Sequence, residues 1–227
     1  MNTTRNLRLH QRILRRYELV QREISIGGVK MEFWQIRNPD TVLDQVVEEE
    51  DRNPGADAHL PYWAELWDSS LAVAMWLVEE NETDKATLDL GCGMGLAGAV
   101  AAALGHRVTL ADIEPSALLL AQLNTSRHAA RVHVRRLDWR RDRLDELFDR
   151  ILGADVIYDK SQWDHLERFW RAHLTDDGQV VLGEPGRQTG DDFIGWIESR
   201  GWETSVTLHT VPTRKTPVRI IRLRIVN

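Results

Sequence analysis

The chain has 227 residues, 42% hydrophobic and 28% charged, with a formal net charge of −6. That length suits one well-packed domain, and the acidic balance argues against a protein whose main task is gripping phosphate backbones, so no nucleic-acid partner is expected. The single cysteine, Cys92, excludes an intrachain disulfide framework, and the eight histidines offer no convincing ligand set, so no metal site is expected either. No apolar run reaches membrane-spanning length and no secretory segment is visible, which points to a cytoplasmic protein without a membrane partner.

Residues 1–61 read as an N-terminal extension to a domain spanning 62–227. Arg5, Arg8, Arg12, Arg15 and Arg16 precede the first acid, Glu18. With Leu9, Ile13, Leu14 and Tyr17 they suit a helix with a basic solvated face, or an organellar transit segment that would move the protein to an organellar matrix. Residues 22–37 predict a β-hairpin turning at Gly27-Gly28. Residues 38–61, with two prolines and the acidic run Glu48–Asp51, predict an exposed connection.

From Trp63 the pattern becomes alternating helices and strands. A helix is expected over 69–80 with Leu71, Ala74, Met75 and Val78 on its buried face, then a strand over Ala86–Leu90 and an alanine-rich helix over Leu96–Leu104. Strands follow at Arg107–Ala111, Val132–Leu137, Ile151–Ile157 and Gln179–Gly183. Helices run from Pro115 to about His128, over 161–174 and over Asp191–Arg200. The end differs: Thr204–His209 and Val218–Val226 are strands joined without a helix, so they run antiparallel. The expected fold is therefore Rossmann-like α/β, a seven-stranded, mostly parallel sheet with helices on both faces, closed by an antiparallel hairpin. A ligand on such a sheet belongs at the carboxyl ends of its strands.

Asp89-Leu-Gly91-Cys-Gly93-Met-Gly95 lies at that position, between the first core strand and its helix. Gly93-Met-Gly95-Leu-Ala-Gly98 also spells the dinucleotide fingerprint, so the glycines alone do not choose a cofactor. Asp89 chooses. A pyrophosphate at this turn would be repelled by its carboxylate by roughly several kcal/mol, whereas S-adenosylmethionine brings an ammonium and a sulfonium. Asp112 ends the next strand, 23 residues after Asp89, a spacing that suits hydrogen bonds to ribose hydroxyls.

These motifs resemble those of the class I methyltransferases, and within them the seven-stranded protein lysine methyltransferases, over about residues 60–225. Asp89–Gly95 is similar to that fold's first motif and Asp112 to its second-strand acid. Leu137-Asp138-Trp139 resembles a segment whose Asp accepts from the adenine amino group and whose Trp lines the adenine pocket. Trp67-Asp68-Ser69-Ser70 resembles a segment whose Trp side contacts the cofactor, and Asp155-Val-Ile-Tyr158 a signature that faces the transferred methyl group. Gly183-Glu-Pro-Gly-Arg187 and Pro61-Tyr-Trp-Ala64 resemble the branch acting on an electron-transfer flavoprotein subunit.

The resemblance implies S-adenosylmethionine-dependent transfer of a methyl group to a lysine of a protein substrate. Asp155 and Tyr158 would then position the amine, with neither acting as an essential general base. A metabolite amine as acceptor and a non-catalytic cofactor-binding scaffold are the alternatives, since fold alone does not fix function. An N-terminal hairpin that leaves the groove open would favour the protein substrate.

Overall fold

A computed structural model describes residue 9 and residues 11–53 and 60–226. Residues 11–14 are helical with Ile13 buried and Arg12, Arg15 and Arg16 exposed. Arg5 and Arg8, on which the transit-segment reading also rests, lie outside the described residues. Strands β1 (Leu19–Ile26) and β2 (Val29–Ile36) form the expected hairpin, with Ile26 opposite Val29. Their two-residue turn needs left-handed backbone at both positions, which Gly27 (φ 51°) and Gly28 (φ 89°) supply.

The connection expected over 38–61 is corrected: Asp40–Arg52 is a 13-residue helix, α1. Val42, Leu43, Val46 and Val47 recur at helical spacing, Asp40 sits in the first turn, and Arg52 pairs with Glu48 one turn back at 2.6 Å. The acidic run masked this pattern because it occupies the exposed end of the same helix.

The core sheet has seven strands in the order β5-β4-β3-β6-β7-β9-β8. They are β3 (Ala86–Leu90), β4 (Arg107–Asp112), β5 (Val132–Arg136), β6 (Phe148–Ala154), β7 (Leu174–Glu184), β8 (Trp202–His209) and β9 (Val218–Ile225). The first five are parallel, and the β8–β9 hairpin joins antiparallel to β7 through β9. Helices α2 (Asp68–Glu80), α3 (Leu96–Ala103) and α4 (Pro115–Asn124) cover one face together with the N-terminal hairpin. Helices α5 (Trp163–His173) and α6 (Gln188–Glu198) cover the other. Alternation along β7 serves both layers, Val181 facing the first and Val180 and Leu182 the second.

Two expectations shift. Of the expected face of α2 only Ala74 is buried, with Ser69, Ala72, Val73, Trp76 and Leu77, while Leu71, Met75 and Val78 are half-buried. This helix is apolar nearly all round because it lies between the sheet and the hairpin, so its periodicity marks no single face. Strand β6 starts at Phe148 and ends at Ala154 rather than spanning 151–157. Its polar start hides a buried Arg150, paired with Glu82 at 2.5 Å and stacked on Trp76 at 4.8 Å.

Asn124, at the end of α4, ties the layers together. It accepts from Trp34 N–H at 2.8 Å and donates to Trp34 O at 3.0 Å and to Met94 O at 2.9 Å, so one side chain links the hairpin to the glycine turn. Asn124→Ala leaves three backbone groups without their partner and is expected to cost about 2–4 kcal/mol, read as a lower urea midpoint at unchanged m.

Among the described residues no helix is long and apolar enough to cross a membrane, and no group of three or more His, Cys, Asp and Glu side chains is placed to hold a metal.

Candidate active site

The carboxyl ends of the parallel strands open onto a cleft of about 870 Å³, lined by Trp67, Gly91–Gly95, Asp112, Asp138, Trp139, Asp155, Tyr158 and Arg187 among others. Its floor is the turn between β3 and α3. A Cβ on Gly98 would lie 2.2 Å from Leu110 and 2.9 Å from Asp89 Oδ2. Only glycine lets the backbone come close enough for Gly98 N–H to donate to Asp89 at 2.8 Å. Asp89 is thus 1% exposed beneath the turn and does not line the cleft. Its carboxylate, expected beside a bound ligand, fixes the first turn of α3 from under the glycine turn.

Asp112 does reach the cleft. One of its oxygens accepts from Gly93 N–H at 2.8 Å and the other from Glu114 N–H at 2.9 Å, so the carboxylate braces the glycine turn from the neighbouring strand. Burial pushes Asp89 up to about 7 and Asp112 up to about 6.

Both values lie above the ordinary 3.8, so in this range the folded chain holds more protons than the unfolded one. These two groups therefore favour folding at low pH, and that contribution is lost as pH rises through about 6 and 7. His106, whose buried ring is held down at about 4, opposes them in part of the same window, so the clean comparison is between variants. Asp89→Asn keeps an acceptor for Gly98 N–H and removes the titration. Relative to wild type it is expected to gain about 1–3 kcal/mol in ligand-free stability between pH ~5 and pH ~8, measured by denaturant titration.

Trp67 caps α2 and donates Nε1–H to Tyr62 O at 2.8 Å. Trp139 stands across the cleft, its Nε1–H directed to Gln162 Oε1 at 3.3 Å. Asp138 beside it is forked by its own Arg140, with two contacts of 2.8 Å, and approached by Arg141 at 3.3 Å. Those guanidinium bonds hold its carboxyl below the usual range, and a carboxylate so engaged retains further acceptor positions.

At the mouth, Asp155 leaves β6 with left-handed backbone (φ 59°), a conformation that costs a non-glycine residue about 1–3 kcal/mol. Its N–H donates to Gly183 O at 2.9 Å. Its Oδ1 is ion-paired to Arg187, while Oδ2 is buried without a hydrogen-bond partner. Burial holds Asp155 above the ordinary carboxylate range, against the opposing pull of Arg187. Tyr158 is half-exposed and meets Tyr62 edge-on at 5.7 Å, and Tyr62 meets Trp67 likewise at 6.2 Å. The result is a cleft with an apolar, aromatic rim and one underused buried acceptor.

The family described as lysine methyltransferase matches residues 60–200. The chain belongs to that family. It is 36% identical over 129 residues to the protein N-lysine methyltransferase METTL21A of Xenopus tropicalis, covering 52% of this chain and 58% of that protein. It is 32% identical over 141 residues to the electron transfer flavoprotein beta subunit lysine methyltransferase of Danio rerio, covering 58% and 53%. The chain thus spans little more than half the length of these relatives. Among solved structures, the glycopeptide N-methyltransferase MtfA complexed with S-adenosyl-L-methionine aligns with a TM-score of 0.62 at 13% identity, over 69% of this chain and 94% of that one. At that identity the likeness speaks for the fold.

For this lysine methyltransferase family member, every expected site residue except Asp89 meets in one cleft. Tyr62 and Arg187 also line the cleft and Glu184 braces the loop of Arg187, roles that the motifs around them do not single out. Arg187 contacts Asp155 across 32 residues of chain, a pairing that no local spacing announces. Glu184 is 2% exposed and accepts from the N–H groups of Gly186 and Arg187 at 2.8 and 2.6 Å, fixing the loop from which Arg187 reaches across.

Proposed function

We propose that this protein transfers a methyl group from S-adenosylmethionine to the ε-amine of a lysine in a protein substrate. The observation that carries this reading is the buried, unpaired Oδ2 of Asp155 at an aromatic-rimmed mouth. It offers an acceptor for an N–H donor at the end of an apolar stem, which is the chemistry of lysine.

The cleft residues fit the cofactor. Asp112 would hold the ribose hydroxyls, the backbone of Gly91, Gly93 and Gly95 would admit the cofactor closely, and Asp89 would support that turn from beneath. Asp138 would accept from the adenine amino group, with Trp139 and Leu137 as the apolar wall and Trp67 at the other side. When bound, S-adenosylmethionine supplies an electrophilic methyl on a sulfonium. The chain's own work is orientation, which can contribute roughly 7–11 kcal/mol. Asp155 holds the amine through its N–H, and Tyr62 and Tyr158 pack the lysine stem and exclude water. Burial also raises the Tyr158 phenol, so it stays a neutral hydroxyl at neutral pH and offers no base. A lysine ammonium starts from a pKa of about 10.4, and the apolar entrance favours its neutral form.

None of the described residues 9–53 lines the cleft. The hairpin packs beside the site rather than over it, which supports a protein acceptor over a metabolite amine. On this reading residues 62–227 are the methyltransferase domain and 1–61 its extension, working in the cytoplasm. The targets named for the relatives are the first candidate substrates.

The test is transfer of a labelled methyl group from S-adenosylmethionine into a lysate of the source cells, fractionated by size, with Asp112→Ala as control. Label in a protein band, lost with the variant, is the expected result. Label confined to the small-molecule fraction would replace this reading with a metabolite methyltransferase.

A further inference from the structure

Asp155 alone would make a poor amine site. An opposite charge within about 4–6 Å favours the charged form of a group by roughly 1–3 pKa units, so a bare carboxylate would hold the proton on the lysine ammonium. A nucleophile needs the reverse. Arg187 answers this difficulty. A guanidinium is a cation that matches a carboxylate, and this one lies against Oδ1, leaving Oδ2 buried and unpaired on a side chain only 8% exposed.

The arginine is held for this contact from behind. Its N–H donates to Glu184 Oε1 at 2.6 Å, and its carbonyl accepts from Arg219 Nη2 at 3.0 Å. Arg219 in turn pairs with Glu184 at 2.5 Å and with Asp191. The other charged and titratable groups facing Asp155 and its surroundings are Glu184 from β7, Arg214 from the β8–β9 connection, Asp159 and Tyr158 beyond β6, and Tyr62 from the turn before α2. Glu184 is compensated by Arg219. Arg214 donates to Pro185 O at 2.9 Å and lies 4.0 Å from Asp68. Among the described residues, Arg187 is the cation in ion-pair contact with Asp155.

We propose that Arg187 is a charge-compensating and positioning residue. By neutralising Asp155 through Oδ1, it leaves Oδ2 to accept a hydrogen bond from the incoming lysine amine without trapping the amine's proton. This rests on the proposed function. The step affected is deprotonation: one N–H bond of the ε-ammonium breaks, its electron pair stays on nitrogen, and the proton leaves to water.

Arg187→Gln and Arg187→Lys separate charge from shape in two measurements. The first needs no cofactor or acceptor: carbon-13 NMR titration of the Asp155 carboxyl. The Gln variant is expected to raise its midpoint by about one pH unit or more, and the Lys variant to leave it near wild type. Equal midpoints in all three proteins would overturn the proposal. The second is the pH profile of single-turnover methyl transfer into the lysate acceptor band with enzyme in excess. In the Gln variant the acidic limb is expected to move up by about one unit, with roughly tenfold loss near pH ~7.5 and recovery towards the wild-type rate near pH ~10. A uniform loss at every pH would make Arg187 a structural residue and overturn the proposal. Absence of transfer by the wild-type protein at any pH would instead overturn the reading of function beneath it.

Discussion

Replacing Asp155 with asparagine is expected to lower kcat/KM for the protein acceptor by about 10- to 150-fold, because it removes one charge-assisted hydrogen bond of roughly 1.5–3 kcal/mol from the amine. Asparagine is the informative substitution. Asp155 has φ 59°, and asparagine tolerates that left-handed conformation better than other non-glycine residues. The loss would therefore report on the carboxylate rather than on a relaxed backbone. Asp155→Ala removes the acceptor and strains the backbone together, so it is expected to lose more. Cofactor affinity, measured by calorimetry with S-adenosylhomocysteine, is expected to stay within about threefold, since the residues assigned to the nucleoside sit on other strands. Full turnover in the asparagine variant would remove Asp155 from the account.

The second large effect is on the cofactor. Asp112→Ala deletes the anchor of the glycine turn at Gly93 and the bond to Glu114 N–H that fixes the end of β4 before α4, together with the acceptor proposed for the ribose. Each charge-assisted bond is worth roughly 1.5–3 kcal/mol, and part of that total is recovered as the loop relaxes. The expected result is a rise in Kd for S-adenosylhomocysteine of about two orders of magnitude. Asparagine would not rescue it. Both carboxylate oxygens accept from an N–H, so an amide would turn one of those contacts into donor against donor. An unchanged Kd would mean that the nucleoside does not lie against β4.

The fold was largely legible because its signals are local and periodic. Short apolar strands alternate with helices, Pro115 opens α4, and the glycine turn falls between β3 and α3. The local pattern misleads where tertiary packing overrides it. Helix α1 was hidden by the acids on its exposed end, the face of α2 by being covered on both sides, and the start of β6 by Arg150. That arginine is buried only because Glu82 and Trp76 meet it.

The site divides in the same way. Asp112, Asp138, Trp139, Asp155 and Tyr158 stand at strand ends, where the alternation itself points. Asp89 belongs to the same motif, yet its position under the turn depends on how closely Gly98 approaches. Arg187 could be paired with Asp155 only after β6 and β7 were laid side by side, Ala154 opposite Gly183.

The acceptor proposed for this site is a lysine nitrogen of a protein. It is tested most directly by peptide mass spectrometry of a lysate incubated with the wild-type protein and deuterium-labelled S-adenosylmethionine. Labelled methyl groups are expected on the ε-nitrogen of a lysine in a defined protein, absent when Asp112→Ala replaces the wild type. Labelled methyl groups on another residue type, or on nucleic acid or metabolites alone, would contradict it.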